Sequence, residues 1–333
     1  MQYQYKTTIL SIALLLGSLP TLVQAQTPPS APTIVIPTLP QRSVTELISQ
    51  GVQKLNSGDA TGAIADLTEA IRLEPTSAGA YYQRGVARSK FGDNSGAIAD
   101  YTQSIRFDNS FAPAYVNQAM LYAEMGKYGE ALVNYTQALA LNPRDGTIYY
   151  NRAIARSALA DRQGAIKDYT EAIALQPNYA MAYLNRGINR LELEDYQAAM
   201  ADFNDALRLD PRLVAAYENR GIARRQTGDL KGAIADYNQA LKLAPNSQNA
   251  FYNRAITRQQ QGNQQAALED YNRAIRANDH LAIAYSNRGM LRHNMGDREG
   301  AIEDLRTAAR LLFEQGQTAE YQKTVDMIRQ VQQ

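Results

Sequence analysis

Residues 214–247 read VAAYENRGIARRQTGDLKGAIADYNQALKLAPNS, and this stretch decides the fold. Tyr217 and Gly221 stand four apart in its first half, and Ala233, Tyr237 and Ala240 stand four and three apart in its second. Spacings of three and four put each set on one face of a helix. Gly228-Asp229 between the halves has the chemistry of a helix stop followed by a new start, and Pro245 closes the second helix. Two antiparallel helices approach closely only where a side chain is small, so Gly221 and Ala233 admit a neighbour and the tyrosines fill what remains.

Outward from this stretch the same pattern recurs every 34 residues, giving eight units at 44–77, 78–111, 112–145, 146–179, 180–213, 214–247, 248–281 and 282–315. The alanine opening the second helix recurs at Ala63, Ala97, Ala131, Ala165, Ala199, Ala233, Ala267 and Ala301. Another small residue follows seven later, as Ala70, Ser104, Ala138, Ala172, Ala206, Ala240, Ala274 and Ala308. The first unit carries Leu47 where most units have an aromatic, as a terminal cap would. Residues 316–333, with Tyr321, Val325, Ile328 and Val331 on one side, are expected to form a helix capping the last unit.

The period, the small residues and the late prolines resemble the tetratricopeptide repeat. The resemblance spans 44 to about 315 and implies an all-α, right-handed superhelical solenoid of eight helix-turn-helix units with a C-terminal capping helix. In that family the inner face of the first helices forms a concave groove that binds extended peptides or partner proteins. The Tyr-, Asn- and Arg-rich style of the units is similar to exported tetratricopeptide proteins of cyanobacteria and other bacteria.

Asn117, Asn151, Asn185, Asn219, Asn253 and Asn287 occupy one place in six successive first helices. Asparagine is a mediocre helix former, so six in register call for a reason. The resemblance places them in the groove, where a primary amide offers both a donor and an acceptor to a peptide backbone. The arrangement is similar to the asparagine ladder of O-GlcNAc transferase, of which only the peptide-binding mode carries over. The alternative is that each amide bonds a neighbouring helix and stabilises the stack. The residue before each Asn varies, and Tyr82, Tyr150 and Tyr252 at that place are candidates for selective contacts with a ligand.

Two arginines also recur, Arg84, Arg152, Arg186, Arg220, Arg254 and Arg288 just after the ladder place, and Arg88, Arg156, Arg190, Arg224, Arg258 and Arg292 four later. Like charges at that spacing repel. Asp100, Asp168, Asp202, Asp236, Asp270 and Asp304 on the second helices are expected to neutralise them. In the third unit Gln118, Tyr122 and Asn134 replace both arginines and the acid together, which supports one Arg–Asp–Arg cluster per unit. The rival expectation is a basic ladder for acidic ligands.

The first 25 residues have a basic Lys6, an apolar run from Ile9 to Leu19 and a Val23-Gln24-Ala25 cleavage signature, as in a secretory signal. Export to a periplasmic or lumenal space follows, with an uncleaved anchor as the alternative; the mature chain would hold no membrane span. Residues 26–43 form a Pro-rich linker containing Thr33-Ile34-Val35-Ile36.

Lys and Arg number 34 against 33 Asp and Glu, without the basic excess of a nucleic-acid groove. The chain has no cysteine and two histidines, His280 and His293, which leaves no thiolate or histidine-rich metal site. No catalytic residue, metal or cofactor is expected. The sequence therefore points to a peptide- or protein-binding scaffold, with a passive brace using the outer face or the ends as the alternative.

Overall fold

The computed structural model describes residues 42–333; the expected signal and nearly all of the Pro-rich linker lie outside the described residues. The compact unit Ser43–Gln333 is all helix and turn, in seventeen α-helices. The first helices of the eight units are α1 (Val44–Asn56), α3 (Ala78–Phe91), α5 (Ala112–Glu124), α7 (Gly146–Ala158), α9 (Ala180–Glu192), α11 (Val214–Gln226), α13 (Gln248–Gln260) and α15 (Ala282–Asn294). The second helices are α2 (Ala60–Leu73), α4 (Asn94–Phe107), α6 (Tyr128–Leu141), α8 (Arg162–Leu175), α10 (Tyr196–Leu209), α12 (Leu230–Leu243), α14 (Gln264–Ala277) and α16 (Arg298–Glu314). Helix α17 (Thr318–Gln332) follows and packs on α16. The result is an all-α repeat solenoid.

Each turn is specified locally. Gly58, Gly92, Gly126, Gly228, Gly262 and Gly296 take positive φ at the end of a first helix, where a side chain would be strained. In the fourth and fifth units Ala160 (φ 61) and Glu194 (φ 62) take that conformation without glycine's freedom. Next to the turn, Asp59, Asp93, Asp161, Asp195, Asp229 and Asp297 cap the second helix by accepting a backbone N–H three residues on. Lys127 occupies the cap in the third unit and makes no such bond.

The alanines that open the second helices are fully buried, as are Ser104 and the alanines at its place in the other units. Tyr101, Tyr135, Tyr169, Phe203, Tyr237 and Tyr271 fill the space between helices at no more than 2% exposure, with Leu67 and Leu305 in the end units. The aromatic side chains of the first helices behave differently. Tyr81, Tyr149, Tyr183, Tyr217 and Tyr285 are half-buried, each with an arginine guanidinium 5.4–5.6 Å from its ring centroid. At the far end Tyr321, Met327, Ile328 and Val331 of α17 cover Leu305, Leu311 and Leu312.

Along the stack, first helices also meet first helices: α1 meets α3, α5 meets α7, α9 meets α11, and α11 meets α13. Among the described residues no second helix packs comparably on another second helix. The first helices therefore line the inner side.

Candidate functional site

The inner helices are held in register by ion clusters. Asp100 accepts Arg84 Nε at 2.9 Å, Arg84 Nη2 at 2.7 Å and Arg88 Nη1 at 3.0 Å. The same triad joins Arg152, Arg156 and Asp168; Arg186, Arg190 and Asp202; Arg220, Arg224 and Asp236; Arg254, Arg258 and Asp270; and Arg288, Arg292 and Asp304. The six carboxylates are 1–3% exposed, so each charge is paired where water is excluded. The first arginine has a further task. Its Nη1 reaches back to the preceding unit, at 3.0 Å from Arg186 to Thr170 Oγ1, 2.6 Å from Arg220 to Asn204 Oδ1 and 2.7 Å from Arg288 to Asn272 Oδ1. The clusters thus tie unit to unit as well as helix to helix.

The third unit keeps that tie by other means. Gln118 Nε2 donates to Thr102 Oγ1 at 2.8 Å and to the Ile98 carbonyl at 3.2 Å. Tyr122 packs against the cluster around Tyr135, and Asn134 bonds its own helix at Glu130.

All six ladder asparagines lie on the inner helices and are half-buried. Their amides fall into two sets. Asn117 Nδ2 donates to Tyr82 Oη at 3.2 Å, Asn185 to Tyr150 at 3.0 Å, and Asn287 to Tyr252 at 3.0 Å. Each pair spans 35 residues, from one unit to the next, and forms wherever a tyrosine precedes the ladder place by that interval. Burial raises the pKa of each of these phenols, and the donated amide N–H opposes the rise. The partners available to the other three amides are Val116, Leu184 and Glu218. Asn219 turns back to the Ala215 carbonyl at 2.8 Å, and among the described residues Asn151 and Asn253 have no side-chain hydrogen bond. The structure therefore brings Tyr82, Tyr150 and Tyr252 onto the ladder itself, as partners of three of its six amides.

A stripe missed in the sequence runs beside the ladder. Val52, Val86, Met120, Ile154, Ile188, Ile222, Ile256 and Met290 lie one helical turn after the ladder place and recur every 34 residues. All are partly exposed, Met120 at 42% and Ile154 at 37%. Aliphatic side chains at the inner face, open to water, are a signal that the period alone could have delivered. Cavities open between successive stripe residues. One of about 180 Å³ lies between Val86 and Met120, one of about 280 Å³ between Ile154 and Ile188, and one of about 450 Å³ between Ile256 and Met290. A second-helix tyrosine (Tyr101, Tyr169 or Tyr271) and a ladder asparagine (Asn117, Asn185 or Asn287) line each of them. These are the three seams where a tyrosine holds the amide.

Among the described residues no cluster of His, Asp and Glu has the geometry to hold a metal ion, and no helix is long and apolar enough to cross a membrane. His280 is exposed in a turn beside Asp279, and His293 sits in the last turn of α15.

A repeat solenoid with this unit is what the sequence comparisons find. Tetratricopeptide-repeat models match residues 49–110 and 150–212, and 248–280 and 282–311; a further TPR-repeat model matches 119–159 and 221–262. The chain belongs to the tetratricopeptide-repeat family, a family of protein-interaction repeats. A tetratricopeptide repeat protein from Parabacteroides merdae is similar, with a TM-score of 0.53 and 22% identity over 84% of this chain and 98% of that one. The chain of the APC/C hetero-tetramer Cut9-Hcn1 gives 0.58 and 15% over 86% of this chain and 55% of that one. Yeast Tom70 gives 0.51 and 15% over 89% and 66%. At these identities the likeness is one of fold. No curated protein matches the chain.

Proposed function

We propose that the protein is a scaffold that holds an extended segment of a partner polypeptide along its inner face. The observation that supports this most directly is the shared register of ladder and stripe: from the third unit on, every inner helix carries a half-buried amide and, one turn later, a partly exposed aliphatic side chain. An amide bonds C=O and N–H whatever the sequence, while the clefts select apolar side chains. Each such bond contributes about 0.5–1.5 kcal/mol net. Together with apolar burial along the stripe, and less the cost of ordering the peptide, they are expected to place the affinity in the micromolar range, about −8 kcal/mol.

The test is a pull-down with the full chain and with a variant carrying Asn→Ala at 151, 219 and 253, three amides that tie no helix to another. Partners held by the parent and lost by the folded variant support the inner face as the working surface. Identical partner sets remove the ladder from function. They favour the second reading, a passive brace, which draws its support from the three amides already spent on inter-unit bonds to tyrosine.

We also propose that the chain is exported to a periplasmic or lumenal space. Support comes from the n-region, apolar run and cleavage signature of residues 1–25. N-terminal sequencing of the protein from the envelope fraction should begin at Gln26; a first residue of Met1 refutes cleavage.

A further inference from the structure

Arg225 is the one arginine at its place in the repeat. One turn and a half past each ladder position, the other units carry Leu55, Ser89, Ala123, Ser157, Leu191, Gln259 and His293, so the fold does not require a cation there. Arg224, its neighbour, is committed to Asp236 at 2.8 Å and lies 3.7 Å from Asp229. Arg225 has no acidic partner within ion-pair distance among the described residues. Its Nε is buried without an acceptor, and so is the Tyr237 hydroxyl. The two groups are close enough that Arg225 acts against the burial that pushes the Tyr237 phenol up to about 12. By register Asn253 of the seventh unit, with its unbonded amide, stands at the same seam, since Ser89, Tyr101 and Asn117 at the equivalent places line one cavity.

Unspent donors without an acceptor are costly in a partly dry setting. Here the guanidinium Nη groups of Arg225 and the Asn253 amide have donors to give at one seam, with the Tyr237 phenol buried behind them. The acid on the same helix is Glu218, two turns earlier, and its carboxylate already accepts from Ser247 Oγ at 2.5 Å. The surroundings lean the same way. Residues 214–281 hold nine Lys and Arg against six Asp and Glu, in a chain balanced at 34 against 33. In the seventh unit the helix cap is Asn263, where four other units place an aspartate 3.7 Å from the second arginine, so Arg258 lacks that extra neutralisation.

We infer that the seam between the sixth and seventh units is a carboxylate subsite, in which Arg225, with Asn253 beside it, receives an aspartate or glutamate side chain of the bound polypeptide. The planar guanidinium fork suits a carboxylate. A side chain fits better than a chain terminus, because the inner face continues past this seam through the seventh and eighth units and leaves a peptide room to run on. The inference rests on the proposed function: it names one residue class that the inner face selects.

Fluorescence anisotropy with the full-length protein tests it. The probes are labelled dodecapeptides of Leu, Ala and Ser, acetylated and C-amidated, with a single Glu walked along them. A second set replaces Glu with Gln, and a third carries Gln and ends in a free carboxylate. The parent should bind the best Glu peptide about tenfold more tightly than its Gln counterpart, with the difference shrinking as salt rises. Arg225→Gln should bind both alike, and Arg225→Lys should keep part of the preference, which also shows that the site tolerates substitution. A Glu preference that survives in Arg225→Gln, or equal binding of the Glu and Gln sets by the parent, overturns the subsite while leaving the peptide groove intact. Preference for the free-acid set overturns the side-chain assignment. Binding of no peptide at all overturns the groove reading and the subsite with it.

Discussion

Asp202 offers the sharpest perturbation of the scaffold. It is 2% exposed and accepts Arg186 Nη2 at 2.7 Å and Arg190 Nη1 at 2.7 Å, with Arg186 Nε at 3.1 Å. Asp202→Asn removes the charge and leaves two guanidinium groups facing each other, both at least three-quarters covered. Breaking a buried pair by removing one partner costs about 3–5 kcal/mol, because the orphaned charge stays behind. The chain itself supplies the compensated version. Its third unit has Gln, Tyr and Asn at the three places, and Gln118 there bonds Thr102 as Arg186 bonds Thr170. The triple change Arg186→Gln, Arg190→Tyr, Asp202→Asn should therefore lie within about 1 kcal/mol of the parent, since replacing a whole buried ion cluster is close to neutral. Urea titration followed by circular dichroism gives the stabilities. Hydrogen exchange in α9 and α10 locates the loss, which in a solenoid stays near the altered unit. If Asp202→Asn costs under 1 kcal/mol, the cluster is a solvated ornament; if the triple variant is as unstable as the single one, the transplant logic fails.

Other outcomes follow from the same geometry. Tyr82→Phe, Tyr150→Phe and Tyr252→Phe should each cost about 0.5–1.5 kcal/mol through the lost bond to the next unit's asparagine, whereas Asn151→Ala and Asn253→Ala should leave urea midpoints unchanged; a reversed ranking undoes the division of the ladder into two sets. Ala160→Gly and Glu194→Gly relieve positive φ at turns where six other units use glycine, and should stabilise by about 1 kcal/mol each; loss of stability in thermal melts contradicts this. Tyr101, Tyr135 and Tyr237 are pushed up to about 12 by burial, from the usual phenol value of 10.0. The folded state thus keeps protons that the unfolded state releases, so stability is whole below about pH 10 and falls as pH rises towards about 12. At about pH 11 each costs about 1.4 kcal/mol. Urea midpoints that stay level from about pH 9 to 11 would show that these phenols ionise freely.

Most of the scaffold was legible because the period is carried by residues with no alternative role. A buried alanine between two helices and an aspartate at a helix start each have one local explanation, and eight copies average out the exceptions. The ion clusters were legible for a different reason: the third unit changes all three members at once, and a charge cannot be dropped singly from a dry place. The ladder was legible as a row of asparagines but not as two sets. Which amide is taken depends on a tyrosine 35 residues earlier, and contact across a seam has no signature within a unit. The aliphatic stripe was open to inspection but looked like ordinary core, since Ile and Val on a helix face suggest burial, and only the structure shows that face turned inward and wet. Arg225 is invisible to a period by its nature, because it occurs once.

The backward reach of the first arginine has a consequence for chain length. Six of the seven seams use the same arginine donor, the other uses Gln118, and all take either Thr or Asn as acceptor, so the joint at one seam is interchangeable with that at another. Deleting residues 180–213 would bring Arg220 opposite Thr170, which already serves Arg186. No donor would be stranded and no alanine left uncovered. The molecule should accept lengthening or shortening in steps of one unit, as a ruler accepts another division, with its reach changing while its joints do not.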